Sequence, residues 1–326
     1  MKTVAIIGCG NIGYRHFQAT CNTPAVGQVV VVEPDQARLE TAVKDVEKHS
    51  PSLRISAFPS IEKAVAEVKA VDCVISALTT DIQTRLMPQI LAFDCRHYLF
   101  EKPFAQSKAL MNELCGQVAK KTELSNAYVN CSRNLWDGYQ RIRNWIGTDR
   151  SRTSFHMDVI GNLWGLGCNT VHFLEYFRYM TGAQTLKSVS TQLLSSPYGN
   201  KRGAQYEEFV GTAAFANELG DTIQITSGAA IDKPTGIFVT FKEKANDLLR
   251  FALDEDKGML FDFTEGKRTA FDPLYVSKST RLFLEKLFQN PSTAMAIPNL
   301  NQAKLVHFAF FDALHAATKR DHFAIT

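Results

Sequence analysis

The chain has 326 residues, of which 45% are hydrophobic and 21% charged, with a net charge of +3. That length supports a large core and points to two domains, and so small a charge, with no basic run, argues against nucleic acid and anionic membranes as partners. No run of about eighteen apolar residues suggests a transmembrane helix, and the short apolar opening, broken by glycines and Arg15, does not read as a signal peptide.

The opening stretch, Val4-Ala5-Ile6-Ile7-Gly8-Cys9-Gly10-Asn11-Ile12-Gly13, predicts a buried strand that turns through three glycines into a helix. Gly8 suits the tight turn, Gly10 lets backbone approach a pyrophosphate, and Gly13 lets helix and strand pack closely. The helix N-terminus, at Asn11 and Ile12, would offer unpaired N–H groups and a positive dipole end to the phosphates. A second strand, 29–32, ends in Glu33, twenty residues beyond Gly13. An acidic side chain at that distance takes the ribose hydroxyls of the adenosine half. It would repel a 2′-phosphate, and Arg38, which could offset it, comes five residues later. The expected cofactor is therefore NAD in preference to NADP. The alternative makes Glu33 a solvated charge at a strand end.

Strands and helices go on alternating, as in a doubly wound parallel sheet. A helix is expected over 36–48, a strand over 53–57, and a helix capped by Ser60 running to 68. The strand 71–77 exits at Leu78-Thr79-Thr80, on the carboxyl edge where open α/β sheets place ligands, so Thr79 is expected to line the cofactor. Simple packing is the competing reading. After a helix over 84–92, the strand 97–100 runs straight into Glu101-Lys102-Pro103, and a helix over 108–120 and a strand over 127–130 complete the sheet. The predicted domains are 1–124, binding the dinucleotide, and 125–326, binding substrate and forming oligomers. The second half reads as strands over 151–160, 187–194, 205–215, 222–230, 236–241, 247–253 and 258–263, separated by turn signals, hence a largely antiparallel sheet. A helix over 170–180, stopped by Gly182, interrupts them. Two helices, 280–289 and 299–318, close the chain, and the apolar stripe of the last needs a surface to cover it. That last helix could pack back on the first domain.

Seven cysteines, odd in number and never spaced C-x-x-C, suggest reduced thiols in a cytoplasm and no metal site. Lys102 is the first candidate for chemistry: a lysine shielded from water beside a nicotinamide can exchange a proton with a substrate hydroxyl as hydride moves. The competing reading is a surface ion pair with Glu101. His172 is the second candidate, presented by a glycine-rich segment, an Asn169 cap and the first turn of a helix, with Glu175 one turn later. Histidine suits proton transfer near neutrality, although a lone helical histidine is often structural.

Taken together, the glycine fingerprint with His16 three positions after Gly13, Glu33 closing the second strand, Glu101-Lys102-Pro103, and the histidine helix ending in Tyr179-Met180-Thr181-Gly182 resemble the glucose–fructose oxidoreductase/inositol dehydrogenase (Gfo/Idh/MocA) family. The resemblance runs along essentially the whole chain. It implies an N-terminal Rossmann domain and a C-terminal α+β domain with a large, open, mostly antiparallel sheet. It also implies NAD(P) on the first domain, a sugar or cyclitol between the two, and a dimer or tetramer built through that sheet. Lys102 matches the family's catalytic lysine and His172 its catalytic histidine, while Arg133 and Trp136 fall in a substrate-facing segment. Arg133 would suit a carboxylate or phosphate, or equally a surface role.

The sequence departs from the family where an aspartate is usual, four residues before the histidine. Cys168 stands there, and the neighbouring Asn169 can orient a hydroxyl but cannot titrate. Leu78 and Ile82 replace a proline and a histidine, and Glu175 replaces an aspartate. The expectation is a divergent NAD(P)-dependent oxidoreductase acting on a hydroxyl or keto carbon of a sugar, sugar derivative or nucleotide-linked sugar, with Lys102, His172 and Asn169 as its catalytic set. A metabolite sensor without net turnover, and an enzyme that uses NAD transiently during elimination or hydrolysis, remain as alternatives.

Overall fold

The strand–helix alternation of the first third holds in the computed structural model, which describes residues 1–49, 53–146, 154–200, 202–230, 236–244, 248–289 and 295–326. The order is β1 (Lys2–Ile7), α1 (Asn11–Cys21), β2 (Val26–Val32), α2 (Gln36–His49), β3 (Arg54–Phe58), α3 (Ile61–Glu67), β4 (Cys73–Ser76), α4 (Thr80–Ile90), β5 (His97–Phe100), α5 (Lys108–Ala119) and β6 (Ala127–Val129). There follow α6 (Asp137–Ile146), β7 (Phe155–Asn162), α7 (Leu166–Thr181), β8 (Leu186–Ser195), β9 (Phe209–Asn217), β10 (Thr222–Gly228), β11 (Phe238–Glu243), β12 (Leu248–Asp254), β13 (Met259–Asp262), β14 (Lys267–Ala270), α8 (Val276–Gln289) and α9 (Leu300–Thr318).

The first six strands form one parallel sheet in the order β3-β2-β1-β4-β5-β6. Its direction of winding reverses between β1 and β4, the place where such sheets open a ligand crevice. Val4 to Ile6, Val29 to Val31 and Cys73 to Ile75 are fully buried, the unbroken apolar run that a sheet covered on both faces requires. Ser60 caps α3 as expected, its hydroxyl accepting the Lys63 N–H.

The other eight strands form a second sheet, ordered β14-β13-β12-β11-β7-β10-β9-β8. Every pair in it is antiparallel except β7 with β10. Met157, Val159, Phe215, Ile223, Ile225, Val239 and Phe241 alternate inward and are buried, while Ile160 and Phe238 point to the open face. The helix α7 packs on β9 and β10 and is buried on nearly every side. The two-sheet architecture expected from the sequence is present. Of the strands predicted over 151–160, 236–241 and 247–253, the described parts are β7, β11 and β12. Residues 151–153 and 247 lie outside the described residues.

The chain divides into two units, but not at the single predicted cut of 124/125. The first comprises Met1–Ala105, Ala109–Ser132 and Leu274–Asn301, and the second Gln106–Lys108, Arg133–Pro273 and Gln302–Thr326. The sheet runs on past 124 because β6 pairs in parallel with β5. The helix that returns to the first unit is α8, which lies along α1, whereas α9 from Gln302 onward belongs to the second. Of the stripe expected on α9, Val306, Ala309, Phe310 and Ala313 are buried and Leu305 is half-buried.

Candidate functional site

In the first unit the three glycines separate by geometry into three roles. Gly8 has φ +89°, which only glycine adopts without strain, and a Cβ on Gly13 would lie 2.0 Å from the Gly8 carbonyl oxygen. Both are therefore fixed by the turn and by close packing of α1. Gly10 is different: a Cβ built there meets no atom within 4 Å. Internal packing does not demand glycine at this position, but approach of a ligand to the backbone would. The N-terminus of α1 begins at Asn11 and Ile12 with no side-chain cap and no acid in its first turn. It is left to receive an anion.

Glu33, at the end of β2, is buried. One carboxylate oxygen accepts the Cys9 N–H at 2.8 Å. The other accepts the Asp35 N–H at 3.1 Å and a guanidinium N–H of Arg38 at 3.2 Å. Glu33 thus ties the glycine loop to the start of α2. Beside it lies a cavity of about 760 Å³ lined by Cys9, Gly10, Asn11, Tyr14, Asp35, Arg38, Thr41 and Asp45 among others. The cavity, the uncapped helix end and the open side of Gly10 fit a dinucleotide.

Along the carboxyl edge of the sheet, Thr79 precedes α4, which begins four residues before its predicted start. Its hydroxyl oxygen is buried and has no hydrogen-bond partner among the described residues. Next to it, the Glu101-Lys102-Pro103-Phe104 segment is tied to α4 and β4. The Thr80 hydroxyl donates to the Pro103 carbonyl at 2.8 Å, Gln83 donates to the Phe104 carbonyl, and the Glu101 N–H donates to Ser76 O. The Lys102–Pro103 peptide is cis. Lys102 is 7% exposed, so it is a buried lysine and not half of a surface ion pair.

Glu101 has a structural part that the sequence did not disclose. Its Oε1 accepts from His16 Nε2 at 2.9 Å and from Asn130 Nδ2 at 2.6 Å. Burial pushes this carboxyl up, but the hydrogen bonds from His16 and Asn130 and the nearby Lys102 charge outweigh it and hold the group below the usual carboxylate range. His16 in turn bonds through Nδ1 to the Thr280 hydroxyl on α8, at 2.8 Å. The regular spacing of His16 after Gly13 was its one signal in the sequence. Asn130 and Thr280 left none.

In the second unit, α7 starts at Leu166 and not at the predicted residue 170. Its N-cap is Gly165, with φ +81°, and the Glu208 carboxylate accepts the Gly167 N–H in the first turn. A side chain from 41 residues away therefore does what was expected of Asn169. Asn169 lies inside the helix and donates from Nδ2 to the Trp164 carbonyl at 2.8 Å. His172 is consequently in the second turn, and it is buried. Glu175 is fully buried and takes two hydrogen bonds from Arg178, at 2.8 and 2.7 Å. Burial pushes its carboxyl up against the pull of Arg178 and Asn134. A cavity of about 330 Å³ at the start of α7 is lined by Trp164, Cys168, Asn169, Asn200, Arg202 and Glu208 among others; His172 is not among its lining residues.

Arg133 and Trp136, expected to face substrate, make internal contacts. The Arg133 guanidinium grips Glu255 with two hydrogen bonds, at 2.6 and 2.8 Å, and the Tyr139 hydroxyl donates to the same carboxylate. Arg133 also lies over the rings of Phe173 and Trp136, and Trp136 packs on Tyr139 and Phe271. The planar fork that suits a ligand carboxylate has found an internal one. Among the described residues no group of three or more His, Cys, Asp or Glu side chains gathers as a metal site, and no helix is long and apolar enough to cross a membrane.

Residues 2–128 match the Gfo/Idh/MocA family model, described as an oxidoreductase family with an NAD-binding Rossmann fold. No curated protein matches the sequence. Solved structures share the fold at low identity. A myo-inositol dehydrogenase from Lactobacillus casei, in complex with NAD(H) and myo-inositol, is 13% identical with a TM-score of 0.69, over 99% of this chain and 96% of that one. A biliverdin reductase from Synechocystis, with biliverdin and NADP+, is 12% identical with a TM-score of 0.70, over 98% and 99%. An oxidoreductase from Agrobacterium radiobacter, with NAD+, L-tartaric acid and magnesium, is 14% identical with a TM-score of 0.66, over 97% of each chain.

Proposed function

We propose, from the premise that residues 2–128 belong to the Gfo/Idh/MocA family of NAD-binding oxidoreductases, that this chain is an NAD-dependent dehydrogenase or reductase. Its substrate carbon is the hydroxyl or keto carbon of a sugar, sugar derivative or nucleotide-linked sugar. The observation that carries this reading is the burial of Lys102 at the carboxyl edge of the Rossmann sheet, in a Glu-Lys-Pro segment tied down on both sides. The bound nicotinamide supplies a ring carbon that takes up or returns the hydride.

Lys102 exchanges the proton of the substrate hydroxyl, and His172 polarises that same oxygen. Asn169 aligns the substrate through its side-chain amide. Gly8, Gly10, Asn11, Ile12 and Gly13 hold the pyrophosphate, Glu33 the ribose, and Thr79, Glu101 and Lys102 the nicotinamide end. Glu33, Asp35 and Asp45 outnumber Arg38 around the adenosine-side cavity, which supports NAD over NADP. The relatives bind myo-inositol, L-tartaric acid and biliverdin, so the fold leaves the substrate open, and the sugar class rests on the sequence motifs. Seven cysteines, none in a disulfide among the described residues, suit the reducing cytoplasm. The uncovered face of the second sheet, with Ile160 and Phe238, suits a dimer or tetramer of this chain.

Replacing Lys102 by alanine tests the reading. The chemical step in single-turnover kinetics should fall about a hundredfold or more while NAD still binds; unchanged turnover removes Lys102 from the mechanism. Cys168 in the usual aspartate position, with Glu175 engaged by Arg178, favours one second reading, an NAD-dependent metabolite sensor. Its mark would be a metabolite that stabilises the protein only with NAD present and never changes cofactor absorbance.

A further inference from the structure

Asn130 sits immediately beyond β6, with its N–H donating to the Phe100 carbonyl at 2.8 Å and the residue only 3% exposed. Its Nδ2 donates to Glu101. Chemistry fixes that orientation: Glu101 is held in its ionised form, an ionised carboxylate only accepts, and so the amide must turn its nitrogen toward it. The Asn130 Oδ1 is thereby aimed the other way, where it is buried with no hydrogen-bond partner among the described residues. Glu101 cannot drift to relieve this. His16 holds it from α1, and Thr280 holds His16 from α8, both of them fully buried.

The hydrogen-bonded chain Thr280–His16–Glu101–Asn130 therefore ends in a single acceptor at the carboxyl edge of the sheet. On the other side of β5, at the head of α4, the Thr79 hydroxyl is buried and also has no partner among the described residues. The edge that carries Lys102 thus holds an acceptor-only oxygen and a hydroxyl able to donate, each without a partner among the described residues. A primary carboxamide, with N–H donors on one side and a carbonyl acceptor on the other, is the complement of that pair.

We propose that Asn130 is a cofactor-positioning residue whose Oδ1 accepts a hydrogen bond from the carboxamide N–H of the nicotinamide, held in register by Glu101, His16 and Thr280. The proposal rests on the NAD-binding reading above and adds a residue to it. The test measures dissociation constants of NAD+ and of 3-acetylpyridine adenine dinucleotide, which has a methyl group in place of the amide nitrogen, for wild type and Asn130→Ala. Wild type should favour NAD+ by about five- to tenfold, the worth of one hydrogen bond. In Asn130→Ala, NAD+ should weaken by about that factor and the analogue should be unmoved, so the preference vanishes. Thr280→Val, which leaves Asn130 in place and loosens only the far end of the chain, should shrink the same preference. It also serves if Asn130→Ala does not fold.

A preference that survives both substitutions overturns the proposal. So does an equal loss for both dinucleotides, or a loss confined to substrate affinity, the sign of a substrate hydroxyl as the donor. Failure of wild type to bind NAD+ at all would overturn the functional reading first, and shows before any residue is changed.

Discussion

Replacing Arg133 by alanine decides whether this side chain serves packing or a ligand. Its guanidinium makes hydrogen bonds of 2.6 and 2.8 Å to Glu255, and the two side chains are 12% and 5% exposed. Without Arg133, Glu255 keeps the Tyr139 hydroxyl as its one remaining side-chain donor among the described residues. Breaking a buried pair in this way costs about 3–5 kcal/mol, and loss of the stack on Phe173 adds roughly 1 kcal/mol. At about 2–4 °C per kcal/mol for a unit of this size, Tm should fall by roughly 10 °C or more. All three tryptophans, Trp136, Trp145 and Trp164, lie in the second unit, so urea unfolding followed by tryptophan fluorescence reports that unit alone. Adding Glu255→Gln removes the stranded charge and should recover about half of the loss or more. A loss below about 1 kcal/mol, the range of a solvated pair, would refute the reasoning. So would unchanged stability with weakened substrate binding, which would return Arg133 to a ligand.

Gly10→Ala should leave stability within about 0.5 kcal/mol, because its Cβ meets nothing, yet weaken NAD binding about tenfold or more. Gly13→Ala should instead destabilise the fold, since its Cβ would sit 2.0 Å from the Gly8 oxygen; equal melting curves for the two variants would contradict both assignments. Glu218 is pushed up by burial, but the Gln184 and Thr185 N–H groups and the Thr185 hydroxyl prevail and bring it from 4.5 down to about 2. A folded-state pKa below the unfolded one gives stability that is complete above about 4.5 and lost as pH falls toward 2. Glu218→Gln should therefore melt lower than wild type at neutral pH, with the gap narrowing on acidification; a gap independent of pH would exclude this role.

The features legible in the sequence are those written locally. The glycine turn, Glu33 at the end of β2, the parallel alternation and the Glu101-Lys102-Pro103 segment each declare themselves within about twenty residues, the range over which strand and helix periodicity act. What stayed hidden depends on partners far along the chain. The start of α7 is set by Glu208, Arg133 is claimed by Glu255, and His16 meets Thr280 across 264 residues. The helix α6 was missed because Gly138 interrupts a short segment, and its stripe of Tyr139, Ile142 and Ile146 spans barely two turns. The two glycines before Cys168 read as loop, yet one is the left-handed N-cap and the other donates to Glu208.

Two kinds of buried polar arrangement occur in the chain, and one of them points to where a ligand acts. In the second unit, Arg133 with Glu255 and Arg178 with Glu175 make closed pairs whose work is to fix packing around α6 and α7. In the first, the hydrogen-bonded chain from Thr280 opens onto an edge where the Thr79 hydroxyl and the Asn130 carbonyl have no partner among the described residues. A buried polar atom left unsatisfied costs about 1–3 kcal/mol, so selection for stability alone would remove it. Thr79 offers the cleaner test, because its hydroxyl makes no cap bond to α4 that a substitution would sacrifice. Thr79→Val keeps the branched shape and deletes the orphan oxygen. The ligand-free protein should gain about 1 kcal/mol in chemical unfolding, while NAD affinity, read by fluorescence titration, should fall about fivefold. Stability and binding must move in opposite directions if that oxygen awaits a cofactor; a variant that loses both, or loses neither, would make Thr79 an ordinary part of the core.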